Sequence, residues 1–564
     1  MNRYVLSLDL GTSSAHAILV DRVGRPVAGS HAALRYHRPQ DGSDLAKEFH
    51  PIEVMDAVGE AVGKTLRKGG ISPKQVCAVG ITSQGQGAVL MGLENRELCC
   101  CPNIDLRAVF EGAALDDEAG SEIYATTGHF PSLLLAPARL RWFQAHRPDL
   151  MESASSVVSV AGWLGHRLTG EIASEAGLDC TLGLIDLSTR RHALPLLNRL
   201  KFPVELLPPV LGSGERLGCL RPELAEKWGL PGGLPVTLAG ADTQCGLLGL
   251  GVTKPGQAGA VLGWSGSVHM VMPEPMLDLE ARRTWSSCYS VDSMYTVEAN
   301  LGDCGHAFNW LARTLSGGQL SLEDADRLAE QAPLGGDGVL AFLGPGPLSA
   351  PNAGLRMGGI IMPTPLTFQE PTSGQILRSY LESVAYSIKA NMDTISEVTG
   401  RRASYLCLGG SMSKSGVLAG ALASVLEIPV RRARDSQVSA VGAAAAVALA
   451  GALAAALGAG LGADLAALFQ DIPLSAIVLM SMVAYFSGVV QAPITSFVIV
   501  AEMTDSYGMT VPLMMASIIG SGFLVLGPIL NASFGAYAPL VMAILCGAAY
   551  LFGAAIRFNI WRLN

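Results

Sequence analysis

The sequence predicts an α/β fold over most of its 564 residues, followed by an all-α tail of membrane type. Three observations lead to this prediction. A strand–turn–strand motif occurs twice, apolar residues between Gln375 and Val398 follow the spacing of a core helix, and charged residues almost disappear after residue 442. The first two observations indicate mixed helices and strands, and the third indicates a change from aqueous to membrane surroundings.

The repeated motif places a polar, glycine-containing turn between two alternating apolar strands. Its first copy is Asp9-Leu10-Gly11-Thr12-Ser13-Ser14 and its second is Leu262-Gly263-Trp264-Ser265-Gly266-Ser267. Glycine allows close backbone approach, so N–H groups and hydroxyls can converge on an anion. One copy alone is typical of an ordinary β-turn. Two facing copies predict a polyphosphate-binding pincer, in a chain without the P-loop pattern G-x-x-x-x-G-K-[ST].

An acidic residue lies between the two copies, at the end of a buried-type strand. The strand Val236 to Ala239 runs into Gly240 and delivers Asp242. A carboxylate there can accept a proton from a hydroxyl that attacks a γ-phosphate, and Asp9 can hold Mg²⁺ through water. The alternative for either aspartate is a helix cap or a turn. The combination predicts a nucleotide-dependent phosphotransferase.

The first 445 or so residues resemble the FGGY family of carbohydrate kinases. The resemblance implies a two-lobe, actin-like (ribonuclease H-like) fold that binds ATP and Mg²⁺. It rests on both turn motifs and on further stretches in the family's order: Thr82-Ser83-Gln84-Gly85-Gln86-Gly87, Asn103-Ile104-Asp105-Leu106-Arg107, Ala136-Pro137-Ala138-Arg139-Leu140-Arg141-Trp142, Ala161-Gly162-Trp163-Leu164-Gly165-His166-Arg167-Leu168-Thr169-Gly170, Gly240-Ala241-Asp242-Thr243-Gln244, Leu408-Gly409-Gly410-Ser411-Met412-Ser413-Lys414-Ser415 and Ser439-Ala440-Val441-Gly442-Ala443-Ala444.

The resemblance also implies residue roles. Asp242 is the expected catalytic base and Asp9 the expected metal ligand. The expected phosphate contacts are Gly11, Thr12, Ser13, Ser14, Ser265, Gly266 and Ser267, and the expected adenosine contacts are Gly409, Gly410, Ser411 and Ser415. The expected sugar contacts are Gln84, Gln86, Asp105, Arg107 and Asp242. Glutamine amides suit vicinal hydroxyls, although such polar groups also cap strand ends.

The chain departs from the family pattern at several points. Arg139 stands where lysine is usual, and Gly420 stands where many relatives have glutamine in the adenosine-side helix. Family members usually continue in helices past the segment at Gly442, whereas this chain continues in alanine-rich, apolar sequence. These departures keep open a second hypothesis, a kinase-like module that binds nucleotide or sugar without turnover.

Composition limits the partners. The net charge of −9 and the lack of a basic run argue against nucleic-acid binding. Cysteines such as the run Cys99-Cys100-Cys101 have neither disulfide-framework nor zinc spacing, which indicates reduced thiols. The start of the chain lacks a continuous apolar segment, so no signal peptide is predicted. The expected partner is a small sugar or polyol, and a homodimer is one expected assembly.

The tail has the composition of membrane-spanning sequence. Only six of the 87 charged residues lie after residue 442. Apolar runs at 443–461, 474–501, 509–530 and 536–556 approach the ~20 residues that span a bilayer. Arg557 and Arg562 should stay in the cytoplasm, so cytoplasmic kinase lobes require two or four crossings. The alternative is a set of buried soluble helices.

The tail has a resemblance of its own. The stretches at 458–465, 484–495 and 500–505 resemble the late helices of CLC chloride channels and transporters, over about 458–522. The last helix resembles that of a major-facilitator-type transporter. The CLC anion-coordinating loops precede this segment in that family and are missing here, so a channel is not expected.

The predicted organisation has four parts: a sugar-binding lobe at 1–246, an ATP-binding lobe at 247–446, CLC-like membrane helices at 447–523 and one further membrane helix at 524–564. The predicted function is ATP-dependent phosphorylation of a sugar or polyol by cytoplasmic lobes attached to a membrane. A third hypothesis is a membrane transport protein with a kinase-like cytoplasmic lobe.

Overall fold

The structure is a computed structural model that describes residues 4–39, 44–291, 293–350, 357–364, 366 and 370–450. Its strands are β1 (Tyr4–Leu10), β2 (Ser14–Asp21), β3 (Pro26–Ala33), β4 (Val76–Ser83), β5 (Ala88–Gly92), β6 (Glu97–Cys101), β7 (Ala154–Ser159), β8 (Ser174–Glu175), β9 (Ile185–Asp186), β10 (Arg191–His192), β11 (Val210–Leu211), β12 (Arg216–Cys219), β13 (Pro235–Ala241), β14 (Ala258–Leu262), β15 (Ser265–Met272), β16 (Trp285–Cys288), β17 (Tyr295–Asp303), β18 (Leu340–Phe342), β19 (Gly359–Ile361), β20 (Leu406–Gly409) and β21 (Val430–Arg432).

The α-helices are α1 (Pro51–Gly69), α2 (Val109–Thr127), α3 (Ala136–His146), α4 (Pro148–Glu152), α5 (Val160–Thr169), α6 (Ala176–Thr181), α7 (Leu194–Arg199), α8 (Pro222–Trp228), α9 (Asp242–Gly249), α10 (Gly305–Ser316), α11 (Leu322–Gln331), α12 (Ser373–Thr399) and α13 (Gly416–Leu426). A further helix, α14, begins at residue 438 and is described to residue 450.

The first lobe is built on a six-stranded sheet in the order β12-β13-β4-β1-β2-β3. β1 and β2 form an antiparallel hairpin, and β1, β4 and β13 run parallel. Its central strands are apolar on both faces, as in β13, where the adjacent residues Leu238 and Ala239 are both fully buried. Parallel strands end at the same sheet edge, so the residues that follow β1, β4 and β13 lie close together.

The second lobe repeats this arrangement. Its sheet has the order β16-β17-β15-β14-β20-β21, with β14 and β15 as the hairpin and β14, β20 and β21 parallel. The long helix α12 packs on this sheet and begins at a capping box in which Thr372 and Gln375 bond each other's backbone N–H groups. Its buried residues include the apolar positions that predicted a core helix, such as Tyr380 and Ile388. Both sheets belong to one compact unit, Met1–Val447.

Backbone contact between two helices connects the lobes. α9 follows the first-lobe strand β13, and α14 packs against it at glycines. A Cβ atom on Gly442 would lie 1.6 Å from the Cys245 carbonyl oxygen, and one on Gly249 would lie 2.1 Å from the Val438 carbonyl oxygen. No side chain fits at either position, so the glycines allow the two helices to touch.

A smaller sheet, β6-β5-β7, extends the first lobe and carries the cysteine run. The Cys99 and Cys101 sulfur atoms lie 3.3 Å apart on one face of β6. All ten cysteines among the described residues are free thiols.

The predicted membrane tail at 447–564 falls almost entirely on residues outside the described ranges. Among the helices that the structure does describe, none is long and apolar enough to cross a membrane.

Candidate active site

Asp9 and Asp242 lie at the shared end of the parallel strands β1 and β13, which flank β4. In the sheet register, Asp9 of β1 and Gly240 of β13 both pair with Thr82 of β4. Gly240 has φ +123° and no room for a Cβ, which would lie 2.5 Å from the Ser290 hydroxyl. This backbone turn directs the chain into α9, whose first residue is Asp242.

The two carboxyl groups influence each other. Burial raises the pKa of Asp9 well above its ordinary value, and the charge of Asp242 raises it further. Burial also raises the pKa of Asp242 to about 6, against the opposing effect of the Thr243 backbone N–H, which donates to its Oδ1 at 2.7 Å. Asp9 Oδ1 is buried and has no hydrogen-bond partner among the described residues. An unsatisfied carboxylate oxygen beside a second acid suits a cation.

The first hairpin turn is held in place by side chains from other elements. Gly11 N–H donates to the Ser14 carbonyl at 3.1 Å, and the Tyr36 hydroxyl donates to the Thr12 carbonyl at 2.6 Å. The Asn103 amide donates to the Thr12 hydroxyl at 2.9 Å. Ser13 is exposed at the tip of the turn. The turn is therefore fixed while its tip remains open to a ligand.

The second hairpin turn is closed over one residue fewer than the first and contacts the start of α10. Gly263 N–H donates to the Ser265 carbonyl at 2.9 Å, and Gly305 N–H donates to the Gly263 carbonyl at 3.0 Å. Ser265 is exposed, whereas Gly266 and Ser267 are buried.

The predicted adenosine loop contacts this second turn. Gly410 has φ +85°, and a Cβ there would lie 2.4 Å from the Leu262 carbonyl oxygen, so only glycine allows the contact. Gly409 ends β20 and is buried, and Ser411 is exposed. The Ser415 hydroxyl accepts the Leu418 N–H at 3.0 Å and thereby caps α13. The structure thus brings the loop and the second turn together.

The two glutamines of the predicted sugar site differ in their partners. Gln84 accepts the Asn103 N–H at 3.0 Å and its amide nitrogen lies 3.4 Å from the Gly11 carbonyl, so its side chain ties strand β4 to the first turn. Gln86 has φ +62°, and its N–H donates to the Thr181 hydroxyl at 3.0 Å. Its side-chain amide is half-buried and makes no hydrogen bond with any described residue. That amide is available to a ligand.

Asp105 and Arg107 are bonded to each other in the protein interior. Arg107 Nε lies 2.9 Å from both Asp105 oxygens, and its NH2 group donates to Glu48 at 2.8 Å. The guanidinium lies about 5 Å from the ring centroids of Trp142 and Phe143. Asp105 is fully buried and Arg107 is 3% exposed. This cluster holds the backbone at Gln86 in place, because Arg139, which lies beside Asp105, donates to the Gln86 carbonyl.

Two further acids near the aspartate pair have no marker in the sequence. Burial raises the pKa of Glu298, on β17, to about 8, and the charge of Asp242 adds to the effect. Burial raises the pKa of Glu175 to about 7, and its carboxylate accepts the Leu178 N–H at 2.9 Å as the cap of α6. Neither occupies a turn or motif, so only the fold reveals them. Glu298 raises the density of acid around Asp242.

Comparison with known proteins agrees with this geometry. The model of the N-terminal domain of the FGGY family of carbohydrate kinases matches residues 4–249, and the model of its C-terminal domain matches residues 259–451. An autoinducer-2 kinase of Escherichia coli O139:H28 is 27% identical over 463 residues, which cover 78% of this chain and 85% of that protein. One from Yersinia enterocolitica is 28% identical over 461 residues, with the same coverage of both chains.

Solved structures share the fold. The xylulose kinase from Rhodospirillum rubrum superposes with a TM-score of 0.67 at 26% identity and covers 80% of this chain and 90% of its own. The Plasmodium falciparum glycerol kinase with ADP has a TM-score of 0.68 at 17% identity, covering 79% and 89%. The actin-like two-lobe fold predicted for the first 446 residues is confirmed.

The tail matches family models of membrane transport proteins. The voltage-gated chloride channel model matches residues 450–525, near the predicted CLC-like segment. A model of an APC superfamily transporter, rather than of a major-facilitator-type transporter, matches residues 500–564. These are similarities in residues outside the described structure, and an all-α membrane tail gains no structural support.

The duplicated hairpins, the strand-end aspartates and the two domain matches point to one assignment. The chain belongs to the FGGY family of carbohydrate kinases.

Proposed function

We propose that this carbohydrate kinase transfers the γ-phosphoryl group of ATP to a hydroxyl of a small sugar or polyol, with Asp242 as the base. The observation that carries the proposal is the position of Asp242, which begins α9 at the strand end beside Asp9. A pKa of about 6 leaves Asp242 ionised at neutral pH while keeping it basic enough to accept a proton.

Asp9 is the residue we propose for Mg²⁺. Its buried, unpartnered Oδ1 fits a hard cation, which takes oxygen ligands and keeps several waters. Mg²⁺ bound with ATP would neutralise part of the negative charge of the phosphates. The raised pKa values of Asp9 and Asp242 support this role, because two acids held close together are stabilised as anions by a cation between them.

The two hairpin turns and the adenosine loop orient the nucleotide in this proposal. Hydroxyls at Thr12, Ser13 and Ser265 are the proposed phosphate contacts. Gly11, whose N–H already donates to the Ser14 carbonyl, shapes the turns behind them together with Ser14, Gly266 and Ser267. The loop of Gly409, Gly410, Ser411 and Ser415 is the proposed adenosine contact: the two buried glycines hold the loop against the protein, and Ser411 presents an exposed hydroxyl. Closure of the lobes would exclude water, so that the phosphoryl group passes to the sugar.

The proposed sugar contact is the free amide of Gln86, with Asp242 at the reacting hydroxyl. Gln84, Asp105 and Arg107 are proposed to position the segment that carries Gln86, since the side chain of each is already bonded to protein groups. The relatives suggest candidate substrates through their names, autoinducer-2 and xylulose. Gln86 can donate and accept, so it can bind either a hydroxyl or a carbonyl oxygen of such a compound.

A coupled assay of ADP release tests the proposal on the full chain. The panel is autoinducer-2, D-xylulose, other pentuloses and hexuloses, gluconate and glycerol. We expect one compound to stimulate ADP release, and Gln86→Ala to raise its KM about fivefold, since an amide contact is worth roughly 1 kcal/mol, while KM for ATP stays unchanged. Gln331→Ala, an exposed glutamine at the end of α11, is the matched control.

The result also separates the alternatives. Binding of nucleotide with no ADP release for any compound would favour a module without turnover. Anion flux in liposomes without ADP release would favour a transport protein.

A further inference from the structure

A cleft of about 510 Å³ lies on the second lobe, away from the proposed active site. Its lining includes Lys254, Gln257, Arg401, Arg402 and Tyr405, and none of the described residues that line it is an aspartate or a glutamate. We call it the basic cleft. Its volume falls in the range of small-molecule sites, and its lining has one sign of charge. A concave surface of this kind concentrates anions.

The cations of the basic cleft have no carboxylate partner within the part of the chain that the structure describes. Lys254, Arg401 and Arg402 are exposed and make no ion pair with any residue that the structure describes. Arg431 stacks on Tyr405, with its guanidinium carbon 3.8 Å above the ring centroid, but it is not one of the residues that line the cleft. It too lacks an ion pair among the described residues. The three cations that line the cleft repel one another, and a bound anion would relieve the repulsion.

The cleft is also held in shape. The Gln257 side chain accepts the Thr253 and Lys254 N–H groups at 2.9 and 3.0 Å and donates to the Tyr405 hydroxyl at 2.7 Å. One glutamine thus fixes the loop that carries Lys254 against Tyr405, the residue that precedes β20. The Tyr405 hydroxyl keeps its own proton for a ligand. A preorganised group of donors loses less entropy on binding than a mobile one.

The position of the basic cleft separates it from the nucleotide. Lys254 and Gln257 precede β14, and Arg401 and Tyr405 precede β20, whereas the second hairpin turn and the adenosine loop follow these strands. β14 has five residues, which span roughly 16 Å at 3.3 Å per residue. The phosphates of a nucleotide bound at the hairpins therefore do not reach the cleft.

From these observations we propose that the basic cleft binds a small phosphate compound with at least two negative charges. Arg401 and Arg402 supply the paired guanidinium donors, Lys254 a further charge, and Tyr405 a hydroxyl donor. The concave shape favours a small molecule over a membrane, which needs a broad exposed surface. An inorganic polyphosphate and a phosphorylated sugar share this chemistry.

Equilibrium dialysis with labelled pyrophosphate tests the proposal on the full chain. Mg²⁺ and a non-hydrolysable ATP analogue, at the lowest concentration that saturates the hairpins, block that site with little competition at the basic cleft, so that the remaining binding reports the cleft. We expect one further site per chain, weakened at least tenfold in the double variant R401A/R402A and about threefold in K254A. The control R22A/R96A removes two exposed arginines elsewhere and should bind as the parent does. Competition by ribose 5-phosphate and by inorganic phosphate distinguishes an organic from an inorganic ligand.

Three results would overturn the proposal. The first is that no pyrophosphate binds once the hairpins are occupied, and the second is that the parent and R401A/R402A bind it equally. The third is that pyrophosphate does not bind at all, while the parent binds vesicles with 30% phosphatidylserine and R401A/R402A does not. Dialysis does not depend on turnover, so the outcome is independent of the proposed kinase reaction.

Discussion

The Ser267 hydroxyl lies 2.7 Å from Nε2 of His269, and the Ser14 hydroxyl lies 2.8 Å from Nε2 of His16. Because β2 and β15 are equivalent strands of the duplicated sheets, each hairpin carries the same serine–histidine pair. Burial lowers the pKa of His269 to about 3, and burial with the charge of His31 lowers that of His16 to about 4. Both imidazoles are neutral at pH 7, so they orient hydroxyls without adding positive charge to the phosphate site.

This pairing predicts a pH dependence of stability. In the unfolded chain a histidine binds its proton near pH 6.5, whereas folded His269 resists protonation down to about pH 3. The unfolded state therefore binds more protons than the folded state below pH 6.5. As the pH decreases from 6.5, this group lowers the free energy of unfolding by up to about 1.4 kcal/mol per pH unit. Urea denaturation between pH 5 and 7.5 measures the slope.

The matched variants are His269→Gln, which keeps a hydrogen-bonding side chain but does not titrate, and His146→Gln, at an exposed position on α3. We expect the first to flatten the slope and the second to leave it unchanged. An unchanged slope in His269→Gln would show that His269 is not a buried neutral histidine.

The raised pKa of Asp242 predicts the acid limb of activity. A carboxyl with a pKa of about 6 holds its proton below that pH and cannot accept one from a hydroxyl. We expect kcat/KM for the sugar to rise with pH through about 6, with the value at pH 5 roughly a tenth of the plateau. Initial rates, with the coupling enzymes in excess, give the profile. A flat profile from pH 5 to 7 would exclude Asp242 as the titrating base.

The contact between α9 and α14 predicts a difference between two glycines. Gly442→Ala forces a methyl group onto the Cys245 carbonyl and should destabilise the protein by about 1–3 kcal/mol or prevent folding. Gly420→Ala, on α13, meets no atom within 4 Å and should be neutral or stabilising by up to about 1 kcal/mol. Thermal unfolding compares the two. Equal stability of both variants would contradict the helix contact.

Sequence patterns predicted the parts of the site that depend on local structure. The hairpins, the strand ending near Asp242 and the core helix over 375–398 follow from periodicity and turn chemistry, and the structure contains all of them. The acids Glu175 and Glu298 could not be predicted, because they sit in ordinary segments and reach the site only through tertiary packing. The same holds for the pairing of Arg107 with Glu48, which is distant in sequence.

The free amide of Gln86 could be predicted as a ligand contact only through the family resemblance. Its availability depends on a positive φ and on the Thr181 bond, neither of which its sequence reveals. The tail shows the opposite case. Its loss of charge is plain in the sequence, while its predicted helices lie beyond the described residues.

The central claim is that Asp242 accepts the proton of the attacking hydroxyl. The most direct test compares ADP release by the full chain and by Asp242→Asn, with the sugar that the panel selects, and uses Asp435→Asn as an exposed control. We predict that Asp242→Asn lowers kcat by 10²–10⁴-fold or more, with ATP binding retained and the control at parent activity. A kcat within tenfold of the parent would contradict the claim.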